Sequence, residues 1–280
     1  MNATPEKLGL IAGRGAYPLL LAESAKKQGV RHVFAVAFRG ETGRGIERLA
    51  DSVVWLRVGQ LQAMLDAIRD SAVPGVVMAG QIAPRNLFNA RPDARMLGLL
   101  RRLHQWNAHT IFGAIGDELR AIGVELLPAS SFMEAAMPAA GTIGGREPAE
   151  SELADIRLGI DVAKRVSAIE IGQTVVVKQG VILAVEAFEG TDETLLRAGR
   201  LGGPGAIAVK VAKPGHDMRF DIPVVGERTF KVLRRIRAAA LAVEAGRTIL
   251  LERDKLIEAA GRIGLAFVAI RVEHDNIEQG

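Results

Sequence analysis

The sequence predicts an α/β protein in two parts, an open parallel sheet in the first half and a second, mixed α/β domain after it. Two observations carry that prediction. Short apolar runs alternate with helically spaced segments, the order that builds a sheet covered by helices. The runs are also nearly continuous in Val, Ile, Leu and Ala rather than alternating, as strands buried on both faces require. A third observation divides the chain: Met137–Glu150, MPAAGTIGGREPAE, has two prolines, three glycines and no period. Such a stretch reads as a linker.

In order, LGLIAG (Leu8–Gly13), HVFAVAF (His32–Phe38), SVVWLRV (Ser52–Val58) and GVVMAG (Gly75–Gly80) are read as strands. Helical spacing occupies Pro18–Gln28 and Gln60–Asp70, then Asp93–Trp106 and Thr110–Ile122, before a last strand in VELLPAS. Residues 1–136 are therefore expected to form a Rossmann-like domain, with 137–150 as linker and 151–280 as the second domain. Within the latter, Ser151–Ala168 is read as a helix with Leu153, Ile156, Ile160, Ala163 and Val166 on one side. TVVVKQG, VILAVEAF and AIAVKVA follow as strands, then a helix Thr229–Ala245 and strand TILLE. A helix Asp254–Ile263, with Asp254 as its expected cap, and strand AFVAI complete the domain.

At 280 residues, each half can bury a core of its own. The formal charge of +4 favours an anionic ligand, and with 4% aromatic residues the chain lacks stacking platforms for nucleic acid. No cysteine is present, which removes disulfides, thiolate metal sites and cysteine nucleophiles together. The start, MNATPEKLGLIAG, does not read as a signal peptide, and no window reaches 18 consecutive apolar residues. A cytoplasmic protein is the expectation.

Several stretches carry chemistry. In GLIAGRGAYP, Gly13 and Gly15 fit the start of a dinucleotide fingerprint, but Pro18 takes the third glycine position. Arg39 and Gly40 stand where its acidic residue belongs, which argues against a nicotinamide cofactor. What survives is a tight turn, Gly13-Arg14-Gly15, whose amides can meet an anion at a helix start. Gly80, Gln81 and Arg85, in AGQIAPRN after the fourth strand, would face the same crevice. The helix over Asp93–Trp106 is basic and amphipathic, suited to a core, to acyl chains or to an anionic membrane.

The densest constellation lies in the second half. Lys178, Glu186, Glu189, Gly190, Thr191, Asp192, Lys210, Lys213, Asp217 and Asp221 fall at strand ends and turns. Lys178, Glu186 and Lys210 interrupt apolar strand text, where an unpaired charge is costly. Carboxylates that hold Mg²⁺ and lysines that clamp phosphate oxygens are the parts phosphoryl chemistry uses; an internal salt-bridge network is the bland alternative. In AKPGHDMRFDIPVVGERT, Asp217 and Asp221 lie four apart and in extended backbone would face one site.

GLIAGRGAYP, AGQIAPRN, KQGVILAVEAFEGTDETLLRAG and VKVAKPGHDMRFDIPVVGERT resemble, in order and along nearly the whole chain, the UDP-2,3-diacylglucosamine pyrophosphatase family of the LpxI type. The resemblance implies hydrolysis of UDP-2,3-diacylglucosamine to UMP and 2,3-diacylglucosamine 1-phosphate in lipid A synthesis, with Mg²⁺ and two α/β domains holding the lipid product between them. It also places the catalytic aspartate in the segment supplying Asp217 and Asp221. Asp221, Asp217 and Lys213 are thus expected to be catalytic, the two aspartates also binding metal. Gly13, Arg14, Gly15, Gly80, Gln81, Lys178, Glu186, Glu189, Gly190, Thr191, Asp192 and Lys210 are expected to bind substrate. Peripheral contact with the cytoplasmic face of the inner membrane accompanies that reading. Two rivals stand beside it: an ATP-grasp-like ligase, which EAFEGTDE after VVVK faintly suggests, and a non-catalytic carrier of lipid or nucleotide sugar.

Overall fold

The computed structural model describes residues 4–82, 92–106, 108–215, 217–220 and 222–272. The chain forms two compact units, Met1–Met133 with Asp217–Asp221, and Glu134–His216 with Ile222–Gly280.

The first unit is built on five parallel strands, β1 (Lys7–Ala12), β2 (His32–Phe38), β3 (Ser52–Leu56), β4 (Gly75–Ala79) and the short β5 (Glu125–Leu126), in the order β3-β2-β1-β4-β5. Helices α1 (Tyr17–Lys27), α2 (Leu61–Asp70), α3 (Ala94–Arg102) and α4 (Ala108–Ala121) accompany them. Leu8, Leu10, Val33, Val36, Val76 and Val77 are at most 1% exposed, so successive residues on opposite faces are both covered, which is why the runs are continuous. Asp93 starts α3: one carboxylate oxygen accepts from Met96 N at 2.9 Å and the other from Gln62 N, in the first turn of α2, at 2.7 Å. One side chain thereby caps two helices. The strand order reverses at β1, which opens a crevice outside the carboxyl ends of β1 and β4.

In the second unit the strands are β6 (Gly141–Gly145), β7 (Thr174–Lys178), β8 (Val181–Val185), β9 (Ile207–Lys210), β10 (Val224–Val225), β11 (Ala240–Glu244), β12 (Ile249–Leu250) and β13 (Ala266–Ile270). Its helices are α5 (Glu150–Ala168), α6 (Thr191–Gly202), α7 (Glu227–Ile236) and α8 (Arg253–Ile263). The main sheet runs β6-β13-β11-β9-β7-β8, with β9, β11 and β13 parallel and β6 and β7 antiparallel to their neighbours; β10 and β12 pair separately. One face packs Leu195, Phe230, Leu233 and Leu256 of α6 to α8, and the other packs Ile156 and Ala163 of α5.

Four sequence expectations change. The stretch expected as a linker, 137–150, contains β6, an edge strand paired with β13. Its glycines serve close approach: a Cβ on Gly144 would lie 3.1 Å from Ile257 Cα, and one on Gly145 would lie 1.8 Å from Leu265 O, with Gly145 at φ +74. The expected helix Thr229–Ala245 stops at Ile236, where Arg237 turns left-handed at φ +52, and the alanine-rich remainder is strand β11. The EGTDE turn opens a 12-residue helix, α6, where only strand ends and turns were expected. Asp254 sits in the first turn of α8 rather than at its cap, a position held by Glu252. No helix among the described residues is long and apolar enough to cross a membrane.

Candidate functional site

In the first unit, the turn after β1 and the end of β4 cross in backbone contact. Gly13 N donates to Ala79 O at 2.7 Å, Arg14 N to Gln81 O at 2.7 Å, and Gln81 N back to Arg14 O at 3.2 Å. A Cβ on Gly13 would stand 2.7 Å from Gln81 O, and one on Gly80 would stand 2.6 Å from Arg14 O, so the crossing needs both glycines. Arg14 pairs with the buried Glu41 at 3.3 Å. The structure therefore brings Gly13, Arg14, Gly80 and Gln81 together as expected, and Gly15, at φ +100, turns the chain into α1.

Beside that crossing lies an apolar cavity of about 100 Å³, lined among others by Phe38, Met64, Met78, Met96, Ile111 and Phe220. Met96 belongs to α3, the helix singled out as an acyl-chain contact. Phe220 arrives with the 217–221 segment, which Ala129 N anchors by donating to Met218 O at 2.6 Å. Its ring tilts against Phe112 at 6.1 Å and carries the Arg219 guanidinium at 5.8 Å.

Asp217 does not stand open for a metal. Arg219 grips its carboxylate, Nε at 2.9 Å from Oδ1 and Nη2 at 2.6 Å from Oδ2, and the Arg219 amide adds an Asx-type bond at 3.0 Å. That carboxylate raises the Arg219 pKa above its ordinary value. Asp221, expected as the essential group, lies outside the described residues, as does Arg85. Among the described residues, no three His, Asp or Glu side chains group as a metal site.

In the second unit the charges gather where the parallel strands end. Lys210, at the end of β9 and 8% exposed, donates to Thr191 Oγ1 at 2.7 Å, and Thr191 donates to Glu186 Oε1 at 2.9 Å. The other oxygen, Glu186 Oε2, is buried and accepts no hydrogen bond among the described residues. Thr191 opens α6 after Gly190, whose φ of +81 suits glycine, so the amides of a helix start lie beside a buried ammonium. Glu189 braces that turn by accepting from Arg197 at 2.6 Å and Thr194 at 3.2 Å. A bond from its own backbone amide, followed by those partners, holds its carboxyl below the usual range. Asp192 pairs with Arg228 at 2.5 Å, joining α6 to α7.

Two expected ligands have other partners. Lys178 sits at the far end of β7 from Thr174, which is the residue opposite Lys210, and donates to Gly202 O at 2.5 Å, satisfying the end of α6. Lys213 forms an ion pair with Glu170. Sequence reasoning also missed Lys164 and Glu244, which pair at 2.6 Å with side chains 10% and 1% exposed. A charge inside apolar text, the signal that flagged Lys210, was present at Glu244 in AALAVEAG, but that text was read as helix.

Fold and site together define a two-unit α/β protein with an apolar cavity at one set of strand ends and an anion-competent helix start at another. Residues 7–136 match the LpxI N-terminal domain and residues 139–268 the LpxI C-terminal domain. The chain belongs to the LpxI family. It is 32% identical over 276 residues to the UDP-2,3-diacylglucosamine pyrophosphatase LpxI of Caulobacter vibrioides, spanning 94% of this chain and 97% of that one. Solved structures give weaker likenesses. The biotin carboxylase domain of Hydrogenobacter thermophilus 2-oxoglutarate carboxylase is 14% identical, with a TM-score of 0.27 over 70% of this chain and 41% of that one. Phosphoribosylglycinamide synthetase from Anaerococcus prevotii is 15% identical, with a TM-score of 0.25 over 68% of this chain and 42% of that one.

Proposed function

We infer that this chain is a hydrolase that cleaves the pyrophosphate bond of UDP-2,3-diacylglucosamine, releasing UMP and 2,3-diacylglucosamine 1-phosphate. The observation that carries the reading is its near-full-length relationship to a pyrophosphatase named for that substrate, in which both halves take part.

The chemistry of the residues supports it. Hydrolysis forms a P–O bond to water, breaks the bridging P–O bond and leaves a proton to be taken up, while negative charge grows on the phosphate oxygens. Lys210 and the amides that open α6 suit that charge, with Lys213 as a second cation. Asp221 takes the role of orienting the water or receiving its proton. The apolar cavity of the first unit, lined in part by Gly13 and Gly80, suits an acyl chain.

Mg²⁺ belongs to the proposal on chemical grounds, because the ion is often held by one or two carboxylates and the substrate's own phosphates. The described side chains do not fit a resident site: Asp217 is committed to Arg219, and Glu186 Oε2 is a lone buried oxygen on a carboxylate that accepts from Thr191. No step is assigned to the ion. Peripheral membrane contact is a further part of the proposal, supported by Leu97 and Trp106, 42% and 66% exposed, on the basic helix α3 and just beyond it.

The test is incubation with UDP-2,3-diacylglucosamine, with and without EDTA, followed by mass identification of products. UMP and the diacyl sugar phosphate are expected, with EDTA abolishing their formation. Recovery of intact substrate by an active preparation, or ADP release from ATP with an acceptor, favours the carrier or the ligase. Asp221→Ala is expected to slow turnover by roughly a hundredfold or more while substrate still binds; near-normal hydrolysis by this variant refutes the role.

A further inference from the structure

β9 ends its ladder at Lys210, yet the chain stays buried for two more residues, and the backbone groups of Ala212, 0% exposed, need partners. They find side chains. Glu244 Oε2 accepts from Ala212 N at 2.8 Å, and Lys164 Nζ donates to Ala212 O at 2.8 Å. Lys164 and Glu244 also bond each other at 2.6 Å, closing a ring of three hydrogen bonds around one peptide position. Arg247 Nε lies 3.7 Å from the second oxygen of Glu244. Val211 is fixed separately, its N–H donating to Gln173 O at 3.0 Å.

The ring joins three elements, since Lys164 comes from α5, Glu244 from the end of β11 and Ala212 from the exit of β9. The next residue is Lys213, which pairs with Glu170 just beyond the end of α5. Burial pushes the Lys164 ammonium below its ordinary pKa, with Glu244 opposing the shift. A buried ion pair is weak ground for stability, because apolar replacements often fold as well or better. A bulky apolar pair could fill that space, but it could not hold both the N–H and the C=O of Ala212.

We propose that Lys164 and Glu244 are positioning residues for the hydrolysis: they clamp Ala212 at both backbone groups and so fix where Lys213 leaves the sheet. The proposal rests on the function inferred above. Displacing a reacting group by about an ångström costs on the order of a hundredfold in rate, so the clamp acts on turnover rather than on affinity.

The experiment measures kcat and KM with UDP-2,3-diacylglucosamine, together with thermal melting, on wild type, Glu244→Ala, Glu244→Gln and Lys164→Met/Glu244→Leu. Wild-type hydrolysis checks the functional reading first, so its failure is separate from failure of the clamp. Glu244→Ala is expected to lose roughly 30-fold or more in kcat with KM little changed. Glu244→Gln, which keeps an acceptor for Ala212 N–H, recovers most of that loss. The double variant removes both charges but leaves both buried backbone groups of Ala212 without their partners, so it is expected to stay folded, to melt below wild type and to share the loss in kcat. If it is folded and turns over as wild type does, or if Gln rescues no better than Ala, the clamp has no positioning role. An Ala variant too unstable to assay leaves the double variant and the Gln variant to decide.

Discussion

Replacing Gly13 with alanine tests whether the crossing of the first and fourth strand ends shapes the first unit's cavity. The added Cβ would lie 2.7 Å from Gln81 O, 2.9 Å from Gln81 N and 2.9 Å from Gly80 C, where ordinary contact begins near 3.4 Å. All three atoms are backbone, so no rotamer change relieves the overlap. The strands must part by more than half an ångström, and the Arg14–Gln81 bridge has to open. Its two hydrogen bonds contribute about 0.5–1.5 kcal/mol each. A loss near 2 kcal/mol lowers the melting temperature by about 4–8 °C in a domain of this size. Because Gly13 and Gly80 also line the apolar cavity, KM for the diacylated substrate should rise while kcat changes little. Gly98→Ala is the control: beyond its own helix backbone, no atom of the described residues lies within 4 Å of the added Cβ, it is helical, and it should gain about 0.5–1 kcal/mol. A Gly13→Ala protein that melts with wild type and keeps its KM refutes the reasoning.

Two further outcomes are expected. Lys178→Met removes the donor to Gly202 O and should cost about 0.5–1.5 kcal/mol with unchanged turnover; a selective rise in KM would return Lys178 to the substrate site. Glu118 accepts from Arg95 at 2.6 Å and Arg102 at 2.7 Å, tying α3 to α4, and Arg95 above all holds its carboxyl below the ordinary value of 4.5. A folded pKa below the unfolded one means this stability is present above about pH 4.5 and is lost as pH falls through the lowered value. Glu118→Gln should therefore flatten the acid limb of the melting-temperature profile, and a limb as steep as that of wild type would exclude the contribution.

What the sequence made legible follows from how much each signal depends on distant partners. The four long strands of the first unit were readable because burial on both faces needs only a local run of apolar residues. β11 was not: ALAVE suits a helix by its alanines, and only its place between β9 and β13, over Arg237 in a left-handed turn, makes it a strand. β6 misled for the opposite reason. Its glycines looked like flexibility, while their use is to let an edge strand lie against Ile257 and Leu265 O, atoms more than a hundred residues away.

The site divides along the same line. Lys210 was found because a charge in apolar strand text must have a partner, and Thr191, itself bonded to Glu186, proved to be that partner. The same rule named Lys178, whose partner is the carbonyl at the end of α6, so the rule finds paired charges without saying whether the pairing serves a ligand or a helix. Glu244 met the rule too, and it was lost with the misread strand that carries it. The tests that separate these cases are kinetic. Removing a charge that only caps a helix lowers melting and spares turnover, and removing one that holds Ala212 should spare KM and lower kcat. For Lys210, which donates to the Thr191 hydroxyl at a helix start, removal should weaken phosphate binding and raise KM.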